Sequence, residues 1–169
     1  MYKKIIFGTL LTFVCLGNSH ANSEYLVARV GAMLINTANT KPLLASGLYY
    51  GYGLDERTAI EAEANIGLAG GKYNQGDGNF GSFDVWTIAA YGVYRYPFTH
   101  NFYAKTKLGL LYENVTNNTR EKKLPQRDYG VSGGIGLGLR FKQALTLEAE
   151  FTLLEQNIFY SGMGIHYQY

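Results

Sequence analysis

The stretch GGIGLGLRF, residues 133–141, has the glycine density of a phosphate-binding loop. A dinucleotide site needs G-x-G-x-x-G between a strand and a helix, so that amides at the helix N-terminus reach the pyrophosphate. Here Gly134, Gly136 and Gly138 recur every second residue, Leu139 stands where the third glycine belongs, and no helical pattern follows. A P-loop fails as well, because Ile66 precedes Gly71-Lys72 where the first glycine is required, and Tyr73 follows where Ser or Thr is required. Acid–base or nucleophilic chemistry would fall to His100 and His166. His100 sits in a turn-like stretch, and no serine nucleophile joins His166 in phase. No His/Cys/Asp cluster has metal-ligand spacing, and Asp77-Gly78-Asn79 lacks the spacing of a calcium loop. The sequence therefore predicts no catalytic residue, no metal and no cofactor. What remains is a set of nine charged side chains inside apolar segments: Arg29, Glu61, Glu63, Arg95, Lys105, Lys107, Arg140, Glu148 and Glu150.

The segments that carry these charges have a period of two, which is a strand period. Eight are predicted, over 24–35, 43–54, 57–68, 83–96, 101–113, 128–141, 144–153 and 157–169. Longer connections are expected at 69–82 and 114–127, a smaller one at 36–42, and tight turns near 55–56, 97–100 and 142–143. In the third segment Ile60, Ala62, Ala64 and Ile66 share one face, and Glu61, Glu63 and Asn65 the other. In the seventh, Leu145, Leu147, Ala149 and Phe151 oppose Glu148 and Glu150. All nine charges fall on the polar face of their own segment; Asp84 is out of phase and is placed at a rim. Acidic and basic segments are neighbours at the third and fourth and at the sixth and seventh, so the nine charges are expected to form a salt-bridged plug.

The chain opens MYKKIIFGTLLTFVCLGNSHA. Lys3 and Lys4, an apolar run from Ile5 to Leu16, and Ser19-His20-Ala21 read as a secretory signal peptide over 1–21. The apolar run is too short for a spanning helix, which needs ~20 residues. Residues 22–169 then form one domain without cysteine, so no disulfide can brace it. Without Lys3 and Lys4, thirteen basic residues balance thirteen acidic ones, and no basic field argues for nucleic acid.

Alternation alone does not say which face points outward, but three features place the apolar face in lipid. It ends in aromatics at both extremes: Tyr52, Tyr94, Tyr96, Phe102, Phe141, Tyr167 and Tyr169 at one, and Trp86, Tyr112, Tyr129, Phe151 and Phe159 at the other. Two aromatic girdles around an aliphatic band mark an outer-membrane barrel. The polar face pairs charge with glycine (Gly47, Gly51, Gly53, Gly134, Gly136, Gly138), as a narrow, side-chain-filled barrel requires. The C-terminus, GMGIHYQY, carries Met163, Ile165, Tyr167 and Tyr169 on the outward face. Hydrocarbon offers no hydrogen bonds, so only helices or closed barrels span it. The expected fold is all-β: an eight-stranded antiparallel up-and-down transmembrane β-barrel after a signal peptide.

On strands such as YAKTKLGLLYENV (103–115) and LTLEAEF (145–151), and on the ending Gly162, Gly164, Tyr167 and Tyr169, the chain resembles the small eight-stranded outer-membrane β-barrels. These are the opacity-type and attachment/invasion-type surface proteins of the porin family and the barrel half of outer-membrane protein A. Those proteins more often close on a basic residue and Phe, where this chain has Gln168-Tyr169. The resemblance implies a monomer in the Gram-negative outer membrane with periplasmic termini, and the C-terminal motif implies recognition by the barrel-assembly machinery. It also implies a non-catalytic surface protein whose loops meet lipopolysaccharide or a host surface ligand. Arg120, Lys122, Lys123 and Arg127, in 114–127, are the loop residues suited to such anions. A narrow ion-conducting pore, a lipid-A-modifying barrel enzyme and a soluble lipocalin-like carrier are the alternatives.

Overall fold

In a computed structural model of the chain, the described residues are 23–35, 41–68, 71–74, 80–118, 123–142, 144–155 and 158–169. For 35, 71–74, 80–82, 117–118, 123–126 and 155 the description covers the backbone alone. The signal peptide expected at 1–21 lies outside these residues, as do Arg120 and Lys122.

Nine strands follow one another: β1 (Glu24–Ile35), β2 (Leu43–Gly53), β3 (Thr58–Gly67), β4 (Gly71–Asn74), β5 (Phe80–Pro97), β6 (Phe102–Asn118), β7 (Lys123–Lys142), β8 (Leu145–Glu155) and β9 (Ile158–Gln168). All pairings are antiparallel, and except for β3 and β4 each strand lies beside its sequence neighbour. β1 pairs with β9 and β3 with β5, which closes the sheet. β4 pairs with β5 beyond the end of β3, with the register advanced by two. β3 and β4 are thus one barrel strand in two pieces, and the molecule is a closed eight-stranded up-and-down barrel. Within the barrel wall closure gives every strand a partner on both sides; beyond it β4 pairs only with β5, and residues 123–132 of β7 only with β6.

Two turns at one end show why the chain reverses there. At the β2–β3 turn Asp55 Oδ1 accepts from the amides of Arg57 and Thr58, both at 2.7 Å, and Oδ2 accepts from Thr58 Oγ1 at 2.6 Å. At the β5–β6 turn the Phe98 amide donates to the Phe102 carbonyl at 2.9 Å, and the Phe102 amide to Thr99 Oγ1 at 3.1 Å. Both chain termini of the barrel lie at this same short-turn end.

The two long connections expected from sequence are corrected. Within 69–82, residues 71–74 and 80–82 are paired strand, and within 114–127, β6 runs to Asn118 and β7 begins at Lys123. The backbone ladder continues past the apolar band. There both faces of the hairpin are polar, and the alternation that betrays a strand is lost.

Side chains alternate cleanly across the wall. Leu48, Ile60, Ile88, Leu110, Ile135 and Ile165 are exposed on the outside, while Arg29, Glu61, Glu63, Lys105 and Lys107 are buried inside. This inverts a soluble core, and an exterior so apolar matches hydrocarbon.

Candidate functional site

The lumen is built in two layers. Toward the short-turn end it is a charge network. Arg29 donates to Glu63 and Glu150, and also to Asn65 Oδ1 through Nη2 at 2.7 Å. Lys107 Nζ lies 2.5 Å from Glu63 Oε2 and 2.6 Å from Glu150 Oε1. Lys105 Nζ reaches Glu61 at 2.9 Å, Glu150 at 3.0 Å and Glu148 at 3.2 Å. Arg95 Nη2 donates to Glu61 Oε1 at 3.0 Å, and its Nε lies 4.0 Å from Glu148. Four cations face four carboxylates, and each carboxylate meets at least two cations. Buried charge is tolerated on these terms only, with each ion paired and further hydrogen bonds supplied.

Tyrosines supply many of those bonds. Tyr49 and Tyr103 both donate to Glu148, and Tyr25 donates to Glu61 at 2.7 Å. Asn65 Nδ2 donates to Glu63 at 2.8 Å and to Thr87 at 3.0 Å. Tyr160 covers the Arg29 guanidinium at 4.1 Å, and Tyr91 covers Lys107 Nζ at 4.1 Å. The inward glycines make this possible. A Cβ on Gly51 would lie 1.9 Å from the Tyr25 ring, one on Gly138 2.1 Å from Tyr103, and one on Gly47 2.2 Å from Asn65 Oδ1. The space they clear is filled by phenol rings as well as by ionised groups.

Toward the opposite, hairpin end the lumen turns apolar. On β1 the inward face passes from Arg29 to Met33, on β6 from Lys107 to Leu111, and on β8 from Glu150 to Leu154. Leu43, Val85 and Ile158 join them in one buried cluster. The sequence reading treated the inward face as polar throughout and missed this layer; a short run of apolar residues in the polar phase at each strand end was its signal. Glu113 was missed too. It is buried on β6 in the phase of Lys105 and Lys107, just where the fifth segment was expected to end.

Of the nine sequence-selected charges, eight meet in the network and Arg140 does not. Arg140 is exposed at the short-turn end, with its guanidinium 5.5 Å from the Tyr103 ring centroid. Strand phase gave its face correctly, but depth along the strand puts it at the rim. Asp84 is exposed on the outward face of β5. His166 is buried, stacked on Tyr25 at 4.3 Å, with Nδ1 3.4 Å from Glu148 Oε1. Its Nε2 has no hydrogen-bond partner. Gly162 and Gly164 face inward against Tyr160 and Arg29, while Tyr167 and Tyr169 are exposed outside, stacked at 6.3 Å. Of the four basic residues expected in the loop, Arg127 is exposed on β7 and Lys123 opens that strand. Among the described residues no group of His, Cys, Asp and Glu is set to hold a metal ion.

A closed eight-stranded barrel with an apolar outside and a charged inside defines a class, the small transmembrane barrels of outer membranes. The chain belongs to the outer membrane protein beta-barrel domain family, whose model matches residues 8–168. Comparison with curated proteins finds no match. Among solved structures it is similar to Neisserial surface protein A, with a TM-score of 0.65 at 9% identity over 90% of this chain and 100% of that one. It is similar to a major outer membrane protein of Thermus thermophilus, with a TM-score of 0.66 at 10% identity over 89% and 100%. It is also similar to Ail, the attachment invasion locus protein of Yersinia pestis, in complex with the heparin analogue sucrose octasulfate. There the TM-score is 0.55 at 11% identity over 88% and 97%. At these identities the likeness shows the fold. Family membership places the chain in the Gram-negative outer membrane.

Proposed function

We propose that this protein is a non-catalytic, monomeric surface protein whose barrel is a closed anchor and whose long hairpins meet ligands outside the cell. The observation that carries the reading is the lumen, where a balanced network of four cations and four carboxylates underlies a largely apolar layer. Such an interior suits a plug better than a path. The short turns and both termini share one end, which we assign to the periplasm, with Tyr167 and Tyr169 displayed for the barrel-assembly machinery. The longer hairpins of β4–β5 and β6–β7 then lie outside.

Conductance in planar bilayers tests the anchor. The purified protein should give no stable open channel, and a steady, large conductance would refute the plug and favour the ion-conducting alternative. Adhesion by the β6–β7 hairpin is the finer proposal. The sequence between β6 and β7 and at the start of β7 carries Arg120, Lys122, Lys123 and Arg127, and Ail, of the same fold, was solved with a polysulfated sugar. Binding to sucrose octasulfate should weaken steeply with salt and disappear when the four residues are neutralised; binding that survives neutralisation would overturn it.

A further inference from the structure

Strand length divides this barrel. β8 and β9 have 11 residues each, whereas β5, β6 and β7 have 18, 17 and 20. About 9–11 residues cross the hydrocarbon, so β5–β7 stand clear of it. β7 has β8 as a partner only from Gly133 onward, and over 123–132 it pairs on one side, with β6. A strand with one side open is a template for another chain. β4, at the opposite edge of this extension, offers only four residues.

Hydrogen-bond parity tells which groups of β7 are open. The Arg140 amide donates to the Asn101 carbonyl at 2.8 Å, and the β6–β7 register then runs unbroken from Leu139 to Lys123. Along an antiparallel strand, successive residues bond to alternate sides. Even-numbered residues of β7 therefore bond to β6, and Lys123, Pro125, Arg127, Tyr129 and Val131 turn their backbone groups to the open side. Pro125 has no N–H, and it stands where that absence costs no bond to β6. The Tyr129 amide is already engaged, donating to Asp128 Oδ1 at 2.7 Å. Of the three successive donors expected at 125, 127 and 129, only that of Arg127 is left, on a residue whose charged side chain is exposed.

We propose that Pro125 and Asp128 bar strand addition at the open edge of β7, and that the addition they bar is to a second copy of this chain. Barrels in one membrane all run β7 the same way, so an antiparallel β7–β7 pair needs a copy of opposite orientation, as on a facing membrane. Such a pair is two-fold symmetric and closes on itself. The inference rests on the reading of a monomeric barrel with its hairpin end outside, and it names what keeps single copies apart.

The full barrel, refolded in detergent micelles that leave orientation free, is weighed by light scattering over a range of protein concentration. Wild type should hold one mass throughout. Pro125→Val with Asp128→Val restores the donor at 125 and frees the one at 129. It should give a species of twice that mass whose share rises with concentration, and in which the amides of 127, 129 and 131 exchange more slowly than in wild type. Pro125→Val with Asp128→Asn keeps an acceptor for the Tyr129 amide and should pair far less. Equal pairing by the two double variants would show that charge, and not the hydrogen bond, was the barrier, and would overturn the role given to Asp128. Gln126→Val, at a residue whose backbone bonds to β6, should stay single. A double-valine variant that keeps the single mass, with the heat-modifiable gel shift of a folded barrel, would overturn the proposal. Should that variant not fold, the single valine variants carry the test: each should pair at higher concentration, and a single mass for both would be the same refutation. Self-association of the wild type would instead overturn the monomeric reading on which the proposal rests.

Discussion

Glu150 is the carboxylate that meets three of the four lumen cations, with Arg29, Lys107 at 2.6 Å and Lys105 at 3.0 Å all upon it. Glu150→Gln keeps the volume but removes the charge, leaving four buried cations against three carboxylates. The cost should be ~3–5 kcal/mol, as when one member of a buried pair is lost, and urea titration of the vesicle-refolded protein would measure it. Adding Lys107→Met to that variant restores the balance and should recover part of the loss; strict additivity of the two substitutions would deny that they share a network. Arg140→Ala tests the boundary. Its guanidinium is exposed over Tyr103, so less than ~1 kcal/mol should be lost. Gly51→Ala should cost more than its single methyl suggests, ~1–3 kcal/mol, because it evicts the Tyr25 ring from its seat beside Glu61. Tyr25→Ser in the same chain should relieve the clash.

The β2–β3 turn carries a titratable device of its own. The hydroxyl of Thr58, and then the amides of Arg57 and Thr58, hold the Asp55 carboxyl below its usual range. A depressed carboxylate stabilises the fold above its unfolded value of ~3.9 and loses that contribution as pH falls through the folded value. Asp55→Asn should therefore lower the urea midpoint at neutral pH, with the gap to wild type closing in acid below about pH 4; a gap that widens in acid would reverse the assignment. This turn was legible in the sequence because Asp-Glu interrupts two alternating runs. So were the eight barrel strands and the face of each charge, since period two fixes both. Depth along a strand was not legible: phase put Arg140 and Lys105 on equivalent faces, yet one is at the rim and the other 2% exposed. The extensions of β5–β7 were hidden for a related reason. Outside hydrocarbon the ladder needs no apolar face, so residues 114–118 and 123–127 read as loop while their backbones pair.

Two barriers stand in series inside the cylinder, and this decides how it could be opened. The ionic layer excludes passing ions by occupancy, because each of its four glutamates is already paired with fixed cations, and Glu61 and Glu148 also accept from phenols. The apolar layer of Met33, Leu43, Val85, Leu111, Leu154 and Ile158 hinders them by desolvation, with Glu113 the carboxylate buried beside Leu111 on β6. Current through barriers in series is limited by the higher one, so weakening either alone should leave the barrel silent. Leu111→Ala with Leu154→Ala opens the apolar layer, and Tyr49→Ala with Tyr103→Ala removes the rings that fill space around Glu148. Each pair alone should conduct no more than wild type in planar bilayers, while the four substitutions together should give discrete openings. A conducting apolar-layer pair would show that the charges never blocked the lumen and that hydrophobic side chains held it shut. A conducting tyrosine pair would place the barrier in the ionic layer instead. Silence of the fourfold variant, with the heat-modifiable gel shift of a folded barrel intact, would mean that the remaining side chains collapse into the vacated volume, and that the closed anchor is more robust than two separate seals require.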